Sequence, residues 1–494
     1  MELDGVPLPS DALYTLQSAR IQQVLSTPSL CELTFVSPQH LQSLDGLSVG
    51  ARLRASIGSV AAPVFEGDVT AMEYAYESRR GEILRVRAYD QLHRLRKHQS
   101  VRMHVQVTPL DLAKELTTPL GITVVGGPAG PFLRNVMQHE QSDLRLLQEV
   151  CARHGLYFFL EGDELRIMTL AGVPHRAKLD LGRNLFEANI TVNLDPACGS
   201  ITASGWDAQK VEVHNAKARQ SRIGRVVGIK AIASGESPGR MLTDESAQDD
   251  GQAESIAQAV LDVRSAQEVI LTGVAEGDVG LRPGITVDVA GVSRRVAGSY
   301  VLTSVTHTLD SQRGYVVEIS TDPPELPSSS RSAAKLATWG KVTRVDDPER
   351  LGRVKVSLPT FNEVETDWLT VLSAGAGAGK GLVVLPGPGD HVLVLFLNRT
   401  DSQGVVLGGL YGAGGPPDAG VEDGAVRRYS VTTAGGQKLR FDDVGSLLRF
   451  ENYQGSFVEL APKKVMIHSN TDFEIDAPGR AIVIRGKTID FIQG

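Results

Sequence analysis

Several groups in this chain have residue types that do chemistry elsewhere, and each lacks something that the chemistry requires. Residues 375–381 read Gly-Ala-Gly-Ala-Gly-Lys-Gly, and glycines ahead of a lysine can cradle phosphate oxygens on backbone N–H groups. A phosphate loop also needs a glycine five positions before Gly379 and a hydroxyl after Lys380. Ala374 and Gly381 stand there, and a strand pattern rather than a helix follows. A glycine-rich loop is the expectation. His139 and Glu140 match the opening of a zinc-protease helix, but Asp143 occupies the place of the second histidine, so a two-histidine face cannot form. His468 would approach its own copies if several chains shared an axis. Strand parity turns Val465 and Ile467 inward, however, and leaves Met466 and His468 facing water. The carboxylate pairs Asp346/Asp347, Asp442/Asp443 and Glu161/Asp163 act as acid and base only in apolar pockets that separate their pKa values, and all three fall in turn-forming sequence. Ser204 and Ser293 have no nucleophile-elbow context. The three cysteines, Cys31, Cys151 and Cys198, are odd in number and far apart, so they read as buried thiols rather than a disulfide or zinc framework. No catalytic residue, metal ligand or cofactor is expected.

The elements that would position any such groups are mostly strands. With 494 residues the chain is long enough for roughly three domains. Lys and Arg total 50 against 58 Asp and Glu, a net charge of −8, which excludes a broad nucleic-acid footprint and a polybasic membrane patch. A hydrophobic fraction of 41% is globular, and 51 glycines with 24 prolines lean the chain toward turns and β structure. The first residues carry Glu2, Asp4 and Asp11 without an apolar core, so no cleaved signal peptide is expected, and the longest apolar run, 392–397, is too short to span a bilayer.

Alternation dominates the first hundred residues. Leu84, Val86 and Ala88 alternate with Arg85 and Arg87, the pattern of a half-buried strand with its arginines facing out. A helix is expected over 142–154, with Ser142 as cap, Leu144, Leu147, Val150 and Cys151 on one face, and Gly155 as its stop. A second is expected over 244–266 with Thr243 as cap. Residues 322–334, rich in proline and serine, read as a linker. Five short strands then follow, at 339–344, 352–358, 368–372, 391–397 and 404–411, the size of a small oligonucleotide/oligosaccharide-binding (OB) barrel. A second linker covers 413–424.

The tail, 425–494, repeats. Apolar residues recur as i, i+2 pairs: Leu439/Phe441, Leu448/Phe450, Val458/Leu460, Val465/Ile467, Phe473/Ile475, Ile482/Ile484 and Ile489/Phe491. A period near eight predicts one strand per rung of a stacked β architecture. So narrow a rung cannot enclose its own apolar face, so the tail predicts three chains wound about one axis. In that arrangement Val465, Ile467, Phe473, Ile475, Ile482 and Ile484 form the trimer core, and Glu459, Glu474, Asp476 and Arg485 stay in water. The last rung, Ile489, Phe491 and Ile492, presents unpaired backbone and apolar side chains that need a cap.

In this order of parts the chain resembles the central spike of contractile injection machines, the valine-glycine repeat protein G (VgrG) family and the fused hub and spike of phage baseplates. The stretch LVVLPGPGDHVLVLFLNRTDSQGVVLGGLYG at 382–412 follows the family's barrel pattern, and WGKVTRVDDPERLGRVKVSLP at 339–359 fits its first hairpin. HEQSDLRLLQEVCARHGLYFFLEGDELRI at 139–167 is similar to the family's helix-then-strand signature, and LRPGITVDV with GSYVLTSVTHTLDSQRGYVVEIS resembles phage hub proteins. The resemblance implies a mainly β chain with a few helices, built as a β-barrel-like hub base (1–334), an OB-fold barrel (335–412), a linker (413–424) and a C-terminal trimeric β-prism, an intertwined β-helix, as spike (425–494). It further implies a homotrimer assembled in the bacterial cytoplasm, docked on an inner tube protein and baseplate proteins. A PAAR-repeat tip protein would sit on Ile489, Phe491 and Ile492, effector cargo is possible for such a spike, and no nucleic acid is involved. Some relatives carry a lysozyme between barrel and prism or an effector domain after the prism; with a gap of only 413–424 and the sequence running to Gly494, neither is expected here. The competing readings are a spike-borne peptidoglycan hydrolase using the carboxylate pairs and a glycan-binding barrel.

Overall fold

The computed structural model describes residues 1–494 except 37–43, 45–46, 59–62, 79–80, 208–211, 230–238, 246, 248, 326–335, 397–403 and 493–494. Most of the proline- and serine-rich segment therefore lies outside the described residues. The chain divides into two compact units, Met1–Gly409 and Leu410–Gly494.

The first unit is organised by an eleven-stranded antiparallel sheet. Leu84, Val86 and Ala88 are buried there, while Arg85 reaches Glu73 at 2.9 Å and Arg87 reaches Glu32 at 3.3 Å. The alternation that the sequence carries thus becomes one apolar face and one face of cross-strand ion pairs. The sheet joins chain segments far apart in sequence: Leu16–Val24 pairs with Ser304–Asp310 on one side and Leu30–Val36 on the other. Gly67 shows how closely it packs, because a Cβ there would stand 2.1 Å from the Tyr89 carbonyl oxygen and 2.7 Å from the Phe65 ring. Gly67→Ala is expected to cost about 1–3 kcal/mol, seen as a lowered melting temperature of the whole chain; an unchanged melt contradicts this packing.

The helix Asp143–Arg153 forms where expected. Ser142 Oγ accepts from the Arg145 N–H, and Leu144, Leu147, Val150 and Cys151 are buried. It ends at Gly155, whose φ of +69° favours glycine and where a Cβ would stand 3.1 Å from the Ala259 Cα, a tight fit. The second long helix starts later than the sequence suggests. It spans Asp250–Gln267, capped by Asp249, whose side chain accepts from Gln252 N at 2.7 Å. Thr243 instead lies on the strand Gly239–Glu245, which pairs in parallel with Ser200–Asp207. A strand that satisfies its backbone groups against a neighbour wins over weak local helix signals.

The barrel has six strands rather than five, in the order Val364–Glu365, Lys355–Leu358, Leu336–Arg344, His391–Phe396, Gly404–Leu410, Thr370–Val371. An antiparallel bridge between Val354, just ahead of Lys355–Leu358, and Leu369, just ahead of Thr370–Val371, brings the last strand back against the second and closes it. Val342, Val356, Leu358, Val392, Val394, Phe396 and Val406 fill its interior together with Met137 from the base. Asn135 Nδ2 donates to Asp367 Oδ2 at 2.9 Å, and the His139 ring stands edge-on to Phe361 at 5.2 Å. Barrel and base therefore share a core within the first unit. The second unit contains a five-stranded antiparallel meander. Among the described residues, no helix is long and apolar enough to cross a membrane.

Candidate assembly interface

Several of the groups with possible chemistry have structural partners. Gly377 and Lys380 exchange two backbone hydrogen bonds of 3.1 Å, a tight turn rather than a phosphate cradle. His139 is buried, and Asp143 accepts from Gln138 at 2.7 Å. Glu161 pairs with Arg166 and Arg282, Asp163 accepts from Gln91, and Asp442 accepts from the Gly445 N–H. Asp346 and Asp347 hold Arg344 and Arg353 respectively. Cys31 and Cys151 are buried, and burial pushes the Cys151 thiol up to about 12 and that of Cys31 higher still; Cys198 is only half-buried, a correction to the expectation that all three are inside. Among the described residues no three His, Cys, Asp or Glu side chains gather as a metal site would require.

What the second unit does display is a face. Its strands Arg428–Thr432, Lys438–Asp442, Leu447–Glu451, Phe457–Ala461 and Lys464–His468 pair in sequence order. Their register aligns Val431, Leu439, Phe450, Val458 and Ile467 in one row and Tyr429, Phe441, Leu448, Leu460 and Val465 in a second. Both rows lie on the same side, because side chains alternate with period two. The row between them, Ser430, Arg440, Arg449, Glu459 and Met466, lies on the other side. There Arg449 bonds Glu459 at 3.0 Å and lies 3.8 Å over the Phe457 ring, which stacks on His468 at 5.1 Å. His468 thus sits on the polar side, as its parity requires.

The apolar side is open. Phe450 is 50% exposed, Val465 66% and Ile467 61%. A contiguous ten-residue apolar face exceeds what soluble monomers ordinarily leave bare. Beyond His468 the single chain forms no further strands among the described residues. Four of the seven pairs lie on strands, but Phe473/Ile475, Ile482/Ile484 and Ile489/Phe491 do not. Among the described residues from 472 onward, the only backbone–backbone hydrogen bond between them runs from Arg480 N to Ala477 O, 2.9 Å. A strand exists only where a neighbour takes up its backbone groups. Phe473 lines one hollow with Phe450, Val458 and Ile467. Ile475 (57%), Ile482 (51%), Ile484 (60%), Ile489 (50%), Phe491 (91%) and Ile492 (89%) all stand in solvent. The sequence reading missed Tyr429 and Val431, an i, i+2 pair of the same kind one strand earlier. It also missed the apolar outer wall of the barrel, whose signal is the unbroken Val-Leu-Val-Leu-Phe run at 392–396.

Comparison with known proteins agrees with this architecture. The family model described as the type VI secretion system/phage-baseplate injector OB domain matches residues 338–411. The model of the Alg8 N-terminal domain matches residues 49–311. Among solved structures, the Francisella PdpA-VgrG complex in its half-lidded form is similar at a TM-score of 0.54 and 8% identity, over 92% of this chain and 83% of that one. The E. coli c3393 protein, described as a component of the type VI secretion system with structural similarity to the T4 tail proteins gp27 and gp5, is similar at a TM-score of 0.52 and 13% identity, over 80% of this chain and 96% of that one. At these identities the likeness is one of fold.

Proposed function

The chain belongs to the Alg8 N-terminal domain family, whose model spans more than half of it; from its VgrG-like fold and injector OB domain we propose that it is the central spike and baseplate hub of a contractile injection machine, working as a homotrimer. In this reading residues 1–334 form the hub-like base that caps the inner tube and meets baseplate proteins. Residues 335–412 are the barrel collar, 413–424 a linker and 425–494 the β-prism spike. Val465, Ile467, Phe473, Ile475, Ile482 and Ile484 meet their copies in a dry centre, and Ile489, Phe491 and Ile492 seat a PAAR-type tip. Assembly takes place in the bacterial cytoplasm. The work is mechanical: contraction drives the needle through an envelope, and the carboxylates and histidines named above serve the fold rather than a reaction.

The observation that carries this reading is the two-row apolar face of the tail sheet, followed by some twenty residues whose backbone groups go almost unpaired within the chain. Each copy has both an uncovered face and an unpaired segment, and each deficit is met by another copy. Two facing sheets would also cover the rows, so the number three rests on the VgrG-like fold and is what a mass measurement decides. Light scattering of the purified full chain over a dilution series is expected to give three times the chain mass. A monomer that melts cooperatively at high dilution overturns the proposal.

A further inference from the structure

Backbone strain in this chain collects at one place. Nine residues other than glycine have a positive φ among the described residues. Five of them are Asp, Ser or Asn, short polar residues that bond their own backbone in turns and adopt that conformation at little cost. Asn362 is such a case, closing the short 3-10 helix Pro359–Phe361. The other four have long side chains, for which the left-handed conformation is costly: Gln106 at +55°, Glu140 at +52°, Arg350 at +57° and Glu363 at +56°.

Three of these four, all but Arg350, border the contact between base and barrel. Gln106 lies inside the base strand Arg102–Val107, between Val105 and Val107, which pair with Asn135 and Leu133. Met137 of the neighbouring strand is buried in the barrel core and Met103 packs against that core, while the barrel strand Val364–Glu365 lies against Arg102–Val107. Glu363 immediately precedes that barrel strand, and Glu140 immediately follows His139, whose ring meets Phe361. A costly backbone conformation persists only where its surroundings over-determine it. Here the surroundings are the contacts across the joint: Met137 in the barrel core, Asn135 on Asp367 and His139 on Phe361.

We propose that this joint is sprung: the contacts between base and barrel hold Gln106, Glu140 and Glu363 in left-handed backbone, and the joint has a second, sparsely populated arrangement in which the barrel parts from the base and these residues relax. The closed form is stiff, because a packed interior does not deform by degrees, and its alternative is a discrete release. The chain passes from base to barrel after Ser320, away from these strands, so the release breaks packing and hydrogen bonds only and is reversible. Met137 reports it, being 1% exposed in the closed joint and in solvent once the barrel has parted. The contacts concerned lie within one chain, so the inference does not rest on the homotrimer reading.

The test treats the full chain with dilute hydrogen peroxide and follows methionine sulfoxide by peptide mass spectrometry, since oxidation of a buried methionine waits for the opening that exposes it. Met168, 4% exposed in a core of the base, reports opening of the base itself. Met137 is expected to oxidise about tenfold faster than Met168 although it is the more buried of the two; equal rates mean that the joint opens only when the base unfolds, and overturn the proposal. Gln106→Gly and Glu363→Gly relieve the backbone of the closed form. After allowance for the freedom that glycine adds to the released form, each is expected to slow Met137 oxidation about fivefold with Met168 unchanged. Gln106→Val, which puts a β-branched side chain on the same φ, is expected to speed it. Arg350→Gly relieves a left-handed residue at the other end of the strand Lys355–Leu358 from Glu363 and is expected to leave Met137 unchanged. A slowing by Arg350→Gly equal to that by Glu363→Gly, or no slowing in the two joint variants, overturns the proposal.

Discussion

Ile475→Asp is expected to abolish the assembled particle at micromolar concentration, and Ile484→Asp to do the same. Both side chains are more than half exposed in the single chain, so the lone molecule accommodates a carboxylate there at little cost and nearly all of the effect falls on assembly. In a dry centre each Asp must be neutralised, which at pH 7 takes about 3 pKa units, or about 4 kcal/mol. Three copies bring about 12 kcal/mol, and at 1.4 kcal/mol per decade that is eight or nine orders of magnitude in the assembly constant. Sedimentation should show monomers or aggregates, with partial recovery of the large species as pH falls toward the ordinary Asp range. The neighbouring Glu474→Gln, on the opposite parity, should leave the mass unchanged. Intact trimers of Ile475→Asp at neutral pH would refute the register proposed for the tail.

Arg353→Ala is expected to be the most damaging single change in the barrel. Arg353 and Asp347 are almost wholly inaccessible, with side-chain exposures of 5% and 2%, and meet in a bidentate pair of 3.0 and 2.6 Å. Asp347 also accepts from the N–H groups of Glu349 at 3.1 Å and Leu351 at 2.8 Å, which fixes the turn between the first two long barrel strands. Removing the guanidinium leaves a buried carboxylate uncompensated, a loss of about 3–5 kcal/mol. The urea midpoint followed by tryptophan fluorescence should fall accordingly, and Asp347→Leu with Arg353→Met should regain most of it. The guanidinium holds the Asp347 carboxyl well below the usual carboxylate range. Its folded pKa is thus depressed, so the pair's contribution is fully present above pH ~4 and is lost progressively as pH falls below that value. In Arg353→Ala that acid dependence should shrink; an unchanged midpoint and an unchanged acid limb would exclude the pair as the turn's anchor.

Much of the fold is visible in the sequence where the signal is local. Leu84, Val86 and Ala88 declare a strand by period two, and Ser142, the Leu144/Leu147/Cys151 stripe and Gly155 declare a helix with both ends. The tail pairs announce an apolar face for the same reason, although the extra strand with Tyr429 and Val431 escapes a reading that starts counting at Leu439. What is not local is not legible. Nothing in residues 16–24 names 304–310 as their neighbour, because that register is set by the whole sheet. The strand at Gly239–Glu245 borrows its stability from Ser200–Asp207, so a local reading extends the following helix through it. Asp347 looks like any turn aspartate until Arg353, six residues on, is seen folded back against it.

Met137 belongs by sequence to the base and by packing to the barrel, where it is 1% exposed among Val342, Val356 and Phe396. A hybrid made by transplanting the barrel alone from a relative would therefore inherit a hole or a clash at that side chain and lose the Asn135–Asp367 and His139–Phe361 contacts. The exchangeable cassette is the barrel together with the Leu133–Gln138 strand and His139, so recombination junctions placed only in the serine-rich segment ahead of the barrel would cut through a common interior. The same shared interior joins base and barrel stiffly, without the slack of a tether.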